Sequence, residues 1–387
     1  MKTRRAEVAG AGLAGLTVAA VLAQRGWKVR VHERAPELRE IGAGIYLFEN
    51  ALRVLEEIGA YGDVAARAER ILDGDLRDHA DRLVIRRNER RQVASRLLVA
   101  VRGDLHAALA RAATRAGAEI VTESQVLAAT PDGRLEFKDG LGEPADLVVG
   151  ADGVRSRVRD SLALATSITD LQDGCGRHLI ARTRDDPMQR TIEVWNGGRR
   201  LGIAPAAPEW VYVFLCCPSS DVGGRRQQPF DAGEWIRTHP AYTSQLGRIP
   251  RHPEGRWLTF HDVRCRSWSD GRVALVGDAA HAMSPNLGQG ACTAMSNALA
   301  LGQAVSVHAD VPAALRAWEA SERPLTDRTQ RYSYLYGRIG TRWPRALLDV
   351  RSRLIPVIAR NGRFRRAMSQ ASEHFPDLDA ARRVPGA

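Results

Sequence analysis

Lysine is almost absent from this chain. Of its 387 residues, 56 are lysine or arginine, and only Lys2, Lys28 and Lys138 are lysine. The net charge of +11 is therefore an arginine charge. The arginines are scattered, and the short cluster Arg86-Arg87-Asn88-Glu89-Arg90-Arg91 is broken by acid. A nucleic-acid surface needs its basic residues gathered on one face, so no nucleic-acid partner is expected. A positive field that draws in anionic small molecules and reduced nicotinamide cofactor is expected.

Cysteine is scarce as well. Cys175, Cys216, Cys217, Cys265 and Cys292 form no CxxC pair, so neither a metal site nor a dithiol motif is indicated. An odd count fits a reducing compartment, and a cytoplasmic location is expected. Long hydrophobic runs are missing too: no stretch stays apolar for the ~18 residues of a membrane-spanning helix. Lys2, Arg4 and Arg5 precede an apolar run in the manner of a secretory leader, but Glu7 and the glycines within the run argue against one. Internal repeats, low-complexity linkers and coiled-coil heptads are likewise absent.

What remains is ordinary globular material, 44% hydrophobic and 26% charged, long enough for two or more lobes. Arg4–Ala9 reads as a strand, Leu13–Gln24 as a helix ended by Gly26, and Lys28–His32 as a second strand ending in Glu33. Further helices are expected at Glu49–Gly59, Leu105–Ala116, Gly290–Val307 and Val311–Tyr336. Apolar runs at Glu119–Glu123, Asp146–Val149 and Arg272–Val276 read as strands of the same unit. Between Leu171 and Val263 the texture changes to strand-like runs at His178–Thr183, Thr191–Trp195, Leu201–Ala204 and Trp210–Cys217, an inserted and mostly antiparallel sheet. The fold class expected is α/β. A Rossmann-like three-layer domain (residues 1–165 and 265–335) would hold an inserted sheet domain (166–264) and be followed by a basic helical tail (336–387). In that tail Leu347, Val350, Leu354 and Val357 recur every three or four residues.

Three glycine-and-acid motifs stand at the strand ends. The first is Gly10-Ala11-Gly12-Leu13-Ala14-Gly15. Here Gly10 permits a tight turn, Gly12 lets the backbone approach a pyrophosphate, and Gly15 lets the helix pack close. The helix N-terminus offers N–H groups and partial positive charge to the phosphate. Glu33, 18 residues after Gly15, is placed for a ribose. The second motif, Gly150-Ala151-Asp152-Gly153-Val154-Arg155-Ser156-Arg157, and the third, Gly277-Asp278 through Pro285, Gly288 and Gly290, each set an acid at a strand-to-loop junction. Such an acid can accept from hydroxyls or cap a helix. A lone glycine motif would suit NAD as well as FAD; three in this order point to FAD.

With these motifs the chain resembles the single-component, class A flavin-dependent aromatic hydroxylases, and is most similar to those acting on salicylate, 3-hydroxybenzoate and 6-hydroxynicotinate. Glu40-Ile41-Gly42-Ala43-Gly44-Ile45 is similar to the family's loop beside the flavin, and Arg102 before Asp104-Leu105 to its FAD-holding arginine. The resemblance covers residues 4 to about 330. It implies that Glu33 and Arg34 bind the adenosine part, with Arg102 near the pyrophosphate. Asp278 would bind the ribityl and pyrophosphate region, and Pro285, Gly288 and Gly290 would wall the isoalloxazine. Gly42 and Gly44 would lie beside the flavin, and Asp152 and Arg157 would serve both FAD and NADH or NADPH. It also implies reduction of FAD by NAD(P)H, reaction with O2, and transfer of OH from a flavin C4a-hydroperoxide to an electron-rich ring. Two departures stand out: Phe48-Glu49-Asn50 follows the Gly42 loop where the family has Pro-Asn, and Ser296-Asn297 stands where it has Glu-Asp.

The substrate expected is an anionic phenol or N-heteroaromatic. Tyr46 is the first candidate for its base or hydrogen-bond partner. Tyr212, Phe214 and Cys216 alternate on one strand and share a face; Tyr212, with Pro285, joins Tyr46 as a catalytic candidate. His178 and His261 are further candidates, and His281 reads as loop support. Two other readings stand beside this one: a tailoring epoxidase or oxygenase of a bulkier natural product, and a basic regulatory protein that kept a flavin fold. The oligomeric state expected is a monomer or homodimer.

Overall fold

The computed structural model describes residues 3–38, 42–88 and 96–376. Lys2, Glu40, Ile41, residues 89–91 of the basic cluster and residues 377–387 of the expected tail lie outside the described residues.

A parallel sheet is the frame. Its six strands run in the order Ser269–Asp270, Val273–Leu275, Leu147–Gly150, Arg5–Ala9, Lys28–His32, Glu119–Val121, and only the first pair is antiparallel. Leu147–Gly150 and Val273–Leu275 are buried throughout, as continuously apolar strands are when both faces of a sheet are covered. Helix Leu13–Gln24, buried over nearly its whole length, packs against helices Arg102–Arg115 and Gly290–Val307. A three-stranded antiparallel sheet, Ala128–Thr130, Arg134–Phe137 and Gly140–Leu141, packs on the frame through Phe137, whose ring lies 4.8 Å from that of His32.

The order of strands explains the order of motifs. Arg5–Ala9, Leu147–Gly150 and Val273–Leu275 are neighbours, with Ala9 opposite Gly150 and Gly150 opposite Leu275. The loops that follow them carry the three motifs. Residues more than 260 apart in sequence therefore meet along one carboxyl edge, where open α/β sheets bind their ligands.

A second sheet has seven strands in the order Trp257–Cys265, Ala165–Ala181, Trp210–Pro218, Arg199–Pro205, Arg190–Asn196, Asp73–Arg77, Leu83–Asn88. All its pairings are antiparallel except Arg190–Asn196 with Asp73–Arg77. The sheet thus recruits a hairpin from the segment before the second motif. That hairpin hides from hydrophobic patterning because its inward residue is an acid. Asp75, 3% exposed, accepts from Arg86 Nε at 2.8 Å and Nη2 at 3.0 Å. Period-2 alternation sorts the sheet's faces: Val211, Val213, Leu215 and Cys217 join a core with Phe230, Trp235, Tyr242 and Leu246, while Tyr212, Phe214 and Cys216 line the central cavity.

Helix Val311–Thr341 runs five residues beyond the expected end, and the tail forms helices Leu348–Arg360 and Gly362–Glu373. The last packs on Glu49–Glu57 and the long helix, fixed by Asn50 Nδ2 donating to Ala371 O at 2.8 Å. Asn50 closes the Phe48-Glu49-Asn50 stretch and is the residue there that anchors the tail.

Candidate active site

The three glycines of the first motif do different work. A Cβ on Gly10, at φ +102°, would sit 2.5 Å from Ala151 O, and one on Gly15 would sit 2.0 Å from Gly10 O. Both positions are closed by backbone. A Cβ on Gly12 would meet nothing within 4 Å, because it points into the cavity that Gly12, Leu13 and Ala14 line. The helix starting at Leu13 has no side-chain cap and no acid in its first turn. Its N-terminal N–H groups and dipole therefore face an open space suited to an anion.

Glu33 closes this loop from behind. Its carboxylate accepts from Ala11 N at 3.1 Å and Ala35 N at 2.9 Å. His106, which the sequence did not single out, bonds Ala11 O through Nε2 at 2.7 Å and fixes the same turn. Asp152 Oδ2 accepts from Arg157 N at 2.7 Å and Val158 N at 3.2 Å, capping helix Arg157–Ser161. Its Oδ1 is buried with no hydrogen-bond partner. Gly10, Gly15, Glu33 and Asp152 thus stand behind the cavity wall; Arg34, Gly42, Gly44, Arg102, Asp278, Pro285, Gly288 and Gly290 line it.

Two of these lining glycines make room for working side chains. A Cβ on Gly42 would lie 2.6 Å from Arg102 Cδ, and one on Gly44 would lie 2.3 Å from Tyr212 Cγ. Pro285 opens a short turn, Pro285–Leu287, that Gly288 ends in the left-handed region at φ +68°. Strand Gly44–Phe48 brings Tyr46 to within 6.4 Å of both the Phe48 and Tyr212 rings.

The sheet-lined end of the cavity is built around two arginines. Arg177 hydrogen-bonds the Tyr212 hydroxyl and, among the described residues, forms no ion pair with a carboxylate. Burial, outweighing Arg177, pushes the Tyr212 hydroxyl well above the usual tyrosine range. Tyr212 therefore stays protonated and serves as a donor, not a proton acceptor. Phe214 lies 5.7 Å from the Tyr212 ring. Cys216 faces Cys175 across the strand pair, and the hydrogen bond its thiol donates to Cys175 together with burial holds it neutral. Arg200, 2% exposed, is satisfied by Glu193 Oε1 at 2.9 Å and 2.7 Å and by Asn286 Oδ1. Glu193 also accepts from Trp195 Nε1 at 2.7 Å and Tyr336 OH at 3.1 Å. Sequence reasoning missed this network; the only signal was the alternation of Glu193 and Trp195 on one strand.

The histidines separate. His261 lines the cavity. His178 does not: it lies on the far face of the strand from Arg177, near Phe230, and burial pushes its pKa down to about 4. It is therefore no base for this cavity. His281 is also held neutral by burial, with a pKa of about 4. It accepts at Nε2 from Asn297 Nδ2 at 3.1 Å, and Trp318 Nε1 donates to Asn297 O at 3.0 Å. The Ser296-Asn297 departure thus builds an uncharged buried contact behind the third motif.

The whole cavity measures about 3010 Å³, several times the ~300–1,000 Å³ of a drug-sized pocket. It spans from the glycine loop to the second sheet, room for an extended dinucleotide and a second molecule. Among the described residues no metal-holding cluster occurs, and no helix is long and apolar enough to cross a membrane.

Comparison with known proteins agrees with this geometry. The FAD binding domain family matches residues 3–327. The chain is 41% identical over 340 residues to a probable 2-heptyl-3-hydroxy-4(1H)-quinolone synthase of Rhodococcus erythropolis, covering 86% of this chain and 88% of that one. It is 34% identical over 349 residues to the 3-amino-4-hydroxybenzoate 2-monooxygenase of Streptomyces cremeus, covering 84% and 85%. Among solved structures, a tetrameric form of 2-methyl-3-hydroxypyridine-5-carboxylic acid oxygenase superposes with a TM-score of 0.86 at 36% identity, covering 99% of both chains.

Proposed function

The chain belongs to the FAD-binding family of flavin-dependent aromatic monooxygenases, and from that premise we propose that it hydroxylates an anionic, hydroxyl-bearing N-heteroaromatic ring. The enzyme uses FAD, NAD(P)H as reductant and O2. Bound FAD supplies the oxygen-activating chemistry; the chain positions the ring and keeps water from the site.

The open N-terminus at Gly12 and Leu13 suits the pyrophosphate, Arg34 the adenosine side, and Asp278 the ribityl hydroxyls. Gly42, Gly44, Pro285, Gly288 and Gly290 let backbone approach the ring system, and Arg102 stands over Gly42. Asp152 contributes through the helix it caps. The observation that carries the substrate reading is Arg177, a guanidinium without a carboxylate partner at the sheet-lined end, bonded to a tyrosine that stays protonated. A ring oxyanion or carboxylate would take the fork of Arg177 and the hydroxyl of Tyr212. Tyr46 closes the wall beside them. A lipophilic substituent is favoured by Ile355, Ile358, Phe364 and Met368, which line the cavity on the tail side. This size and lining also favour a second reading, oxidation of a bulkier natural product.

The test is FAD-loaded enzyme offered hydroxylated pyridines, quinolones and benzoates under 18O2. Expected are substrate-stimulated NAD(P)H oxidation and one labelled oxygen in the product. Arg177→Gln raises KM for an anionic substrate by about tenfold or more and spares NAD(P)H oxidation without substrate. No stimulation by any ring, or an unchanged KM, would refute the reading. We further propose a monomer or homodimer and a cytoplasmic location, in keeping with five free buried cysteines. Light scattering checks the first and cell fractionation the second.

A further inference from the structure

Helix Leu348–Arg360 turns an apolar face outward. Val350, Leu354, Val357 and Ile358 are all exposed, Val357 to 62%, and Leu347 and Phe364 extend the patch at either end. The spacing of three and four places them on one stripe. Arginines flank it: Arg353 and Arg360 on the same helix, then Arg363, Arg365 and Arg366 on the next, and all but Arg353 stand at the rim of the cavity as well. Among the described residues none of these five makes a salt bridge or a side-chain hydrogen bond. Asp349, the acid of this helix, is already held by Arg82. Large apolar side chains open to water beside unpaired cations form the face of an interfacial amphipathic helix. A second copy docking symmetrically on the same face would set arginine against arginine, so charge disfavours it. A dinucleotide would account for the arginines and leave the leucine and valines in water.

We propose that this helix pair docks on an anionic lipid surface, with the apolar stripe in the headgroup boundary and the arginines on lipid phosphates. The same helix lines the catalytic cavity through Ile355, Pro356 and Ile358. The docked enzyme therefore opens its cavity mouth toward the membrane and takes lipophilic aromatic substrates from it. This substrate clause rests on the hydroxylase function proposed above; the docking does not.

The experiment is co-sedimentation of the full FAD-loaded chain with vesicles of phosphatidylcholine alone or with phosphatidylglycerol, at low and high salt. Expected is binding that needs phosphatidylglycerol and weakens with salt. Leu354→Asp/Val357→Asp lowers partitioning by about tenfold or more, Arg353→Glu lowers it in the same direction, and all retain NAD(P)H oxidation on a water-soluble substrate. Absence of binding at low salt, or full binding by the double variant, overturns the proposal. So does a variant that changes only the mass of the protein in solution, which would assign the face to a second copy. If vesicles bind and no aromatic ring stimulates NAD(P)H oxidation, the docking stands and the hydroxylase reading falls.

Discussion

Gly12 and Gly15 are three residues apart in one motif and differ in what a methyl group would meet. At Gly15 it would strike Gly10 O at 2.0 Å; at Gly12 it would enter open cavity from an ordinary φ of −75°. Gly15→Ala is expected to cost several kcal/mol, on the order of 2–4, seen as a lowered Tm or insoluble protein. Gly12→Ala is expected to leave the apo-protein's Tm nearly unchanged and to weaken FAD binding by about tenfold or more, read by fluorescence titration. An apo-protein equally damaged by both changes would sink this division of roles. Glycine spacing made the turn legible in the sequence. It also set Gly12 on the pyrophosphate and Gly15 on helix packing, but it did not show that the turn is closed by Ala151, which lies 136 residues further along than Gly15. The same limit applied to Asn297. The sequence showed a missing charge; only the fold shows that Asn297 meets the neutral imidazole of His281.

Among the elements, the turn Pro285–Leu287 joins distant parts of the chain through one side chain. Asn286 Oδ1 accepts from buried Arg200, while its Nδ2 donates to Ser333 O at 3.1 Å. Ser333 Oγ in turn donates to Ser284 O at 2.5 Å. One asparagine thus ties this cavity-lining turn to the second sheet and to the long helix. Asn286→Ala leaves a buried guanidinium short of one acceptor and is expected to cost about 1–3 kcal/mol. Because the turn is fixed against the second sheet across the cavity, and on the function proposed above would wall the flavin ring, kcat should fall more than KM for NAD(P)H changes. Steady-state kinetics beside a urea titration would check both, and a fall in stability with intact kcat would refute the coupling. Elements with a dense apolar composition were legible: helix Leu13–Gln24, strand Lys28–His32 and helix Gly290–Val307 fall where the sequence puts them. The hairpin Asp73–Asn88 was not, since its inward positions pair acid with arginine. The short helices Val222–Gly247 were not either, being one turn each and held by tertiary packing on the far face of the sheet.

For the molecule as a whole, protonation sets the stability window. His178, His239 and His281 are buried and each has a pKa near 4 against an ordinary 6.5. The unfolded chain takes up these protons first as pH falls, so stability declines from about pH 6.5 to pH 4 and these rings add no further loss below that. The loss is about 1–2 kcal/mol per ring by pH 5. Urea midpoints at pH 7.5, 6 and 5 should fall in that order, and His239→Gln should flatten the curve. A midpoint constant across this range would contradict it. The overall architecture was readable from the three motifs because their strands are adjacent. The interlacing of the two sheets was not, because it depends on a pairing between distant segments.

That interlacing governs how the chain must be assembled. Asp73 waits for Arg190, a partner 117 residues later in the chain. A growing polypeptide therefore carries the 73–88 hairpin for several seconds or more of synthesis, at ~5–20 residues per second, with one edge unpaired. Its dense charge, a poor signal for a strand, is what discourages premature edge-to-edge association. The arginines and aspartates that made this hairpin hard to read act as its guard during translation.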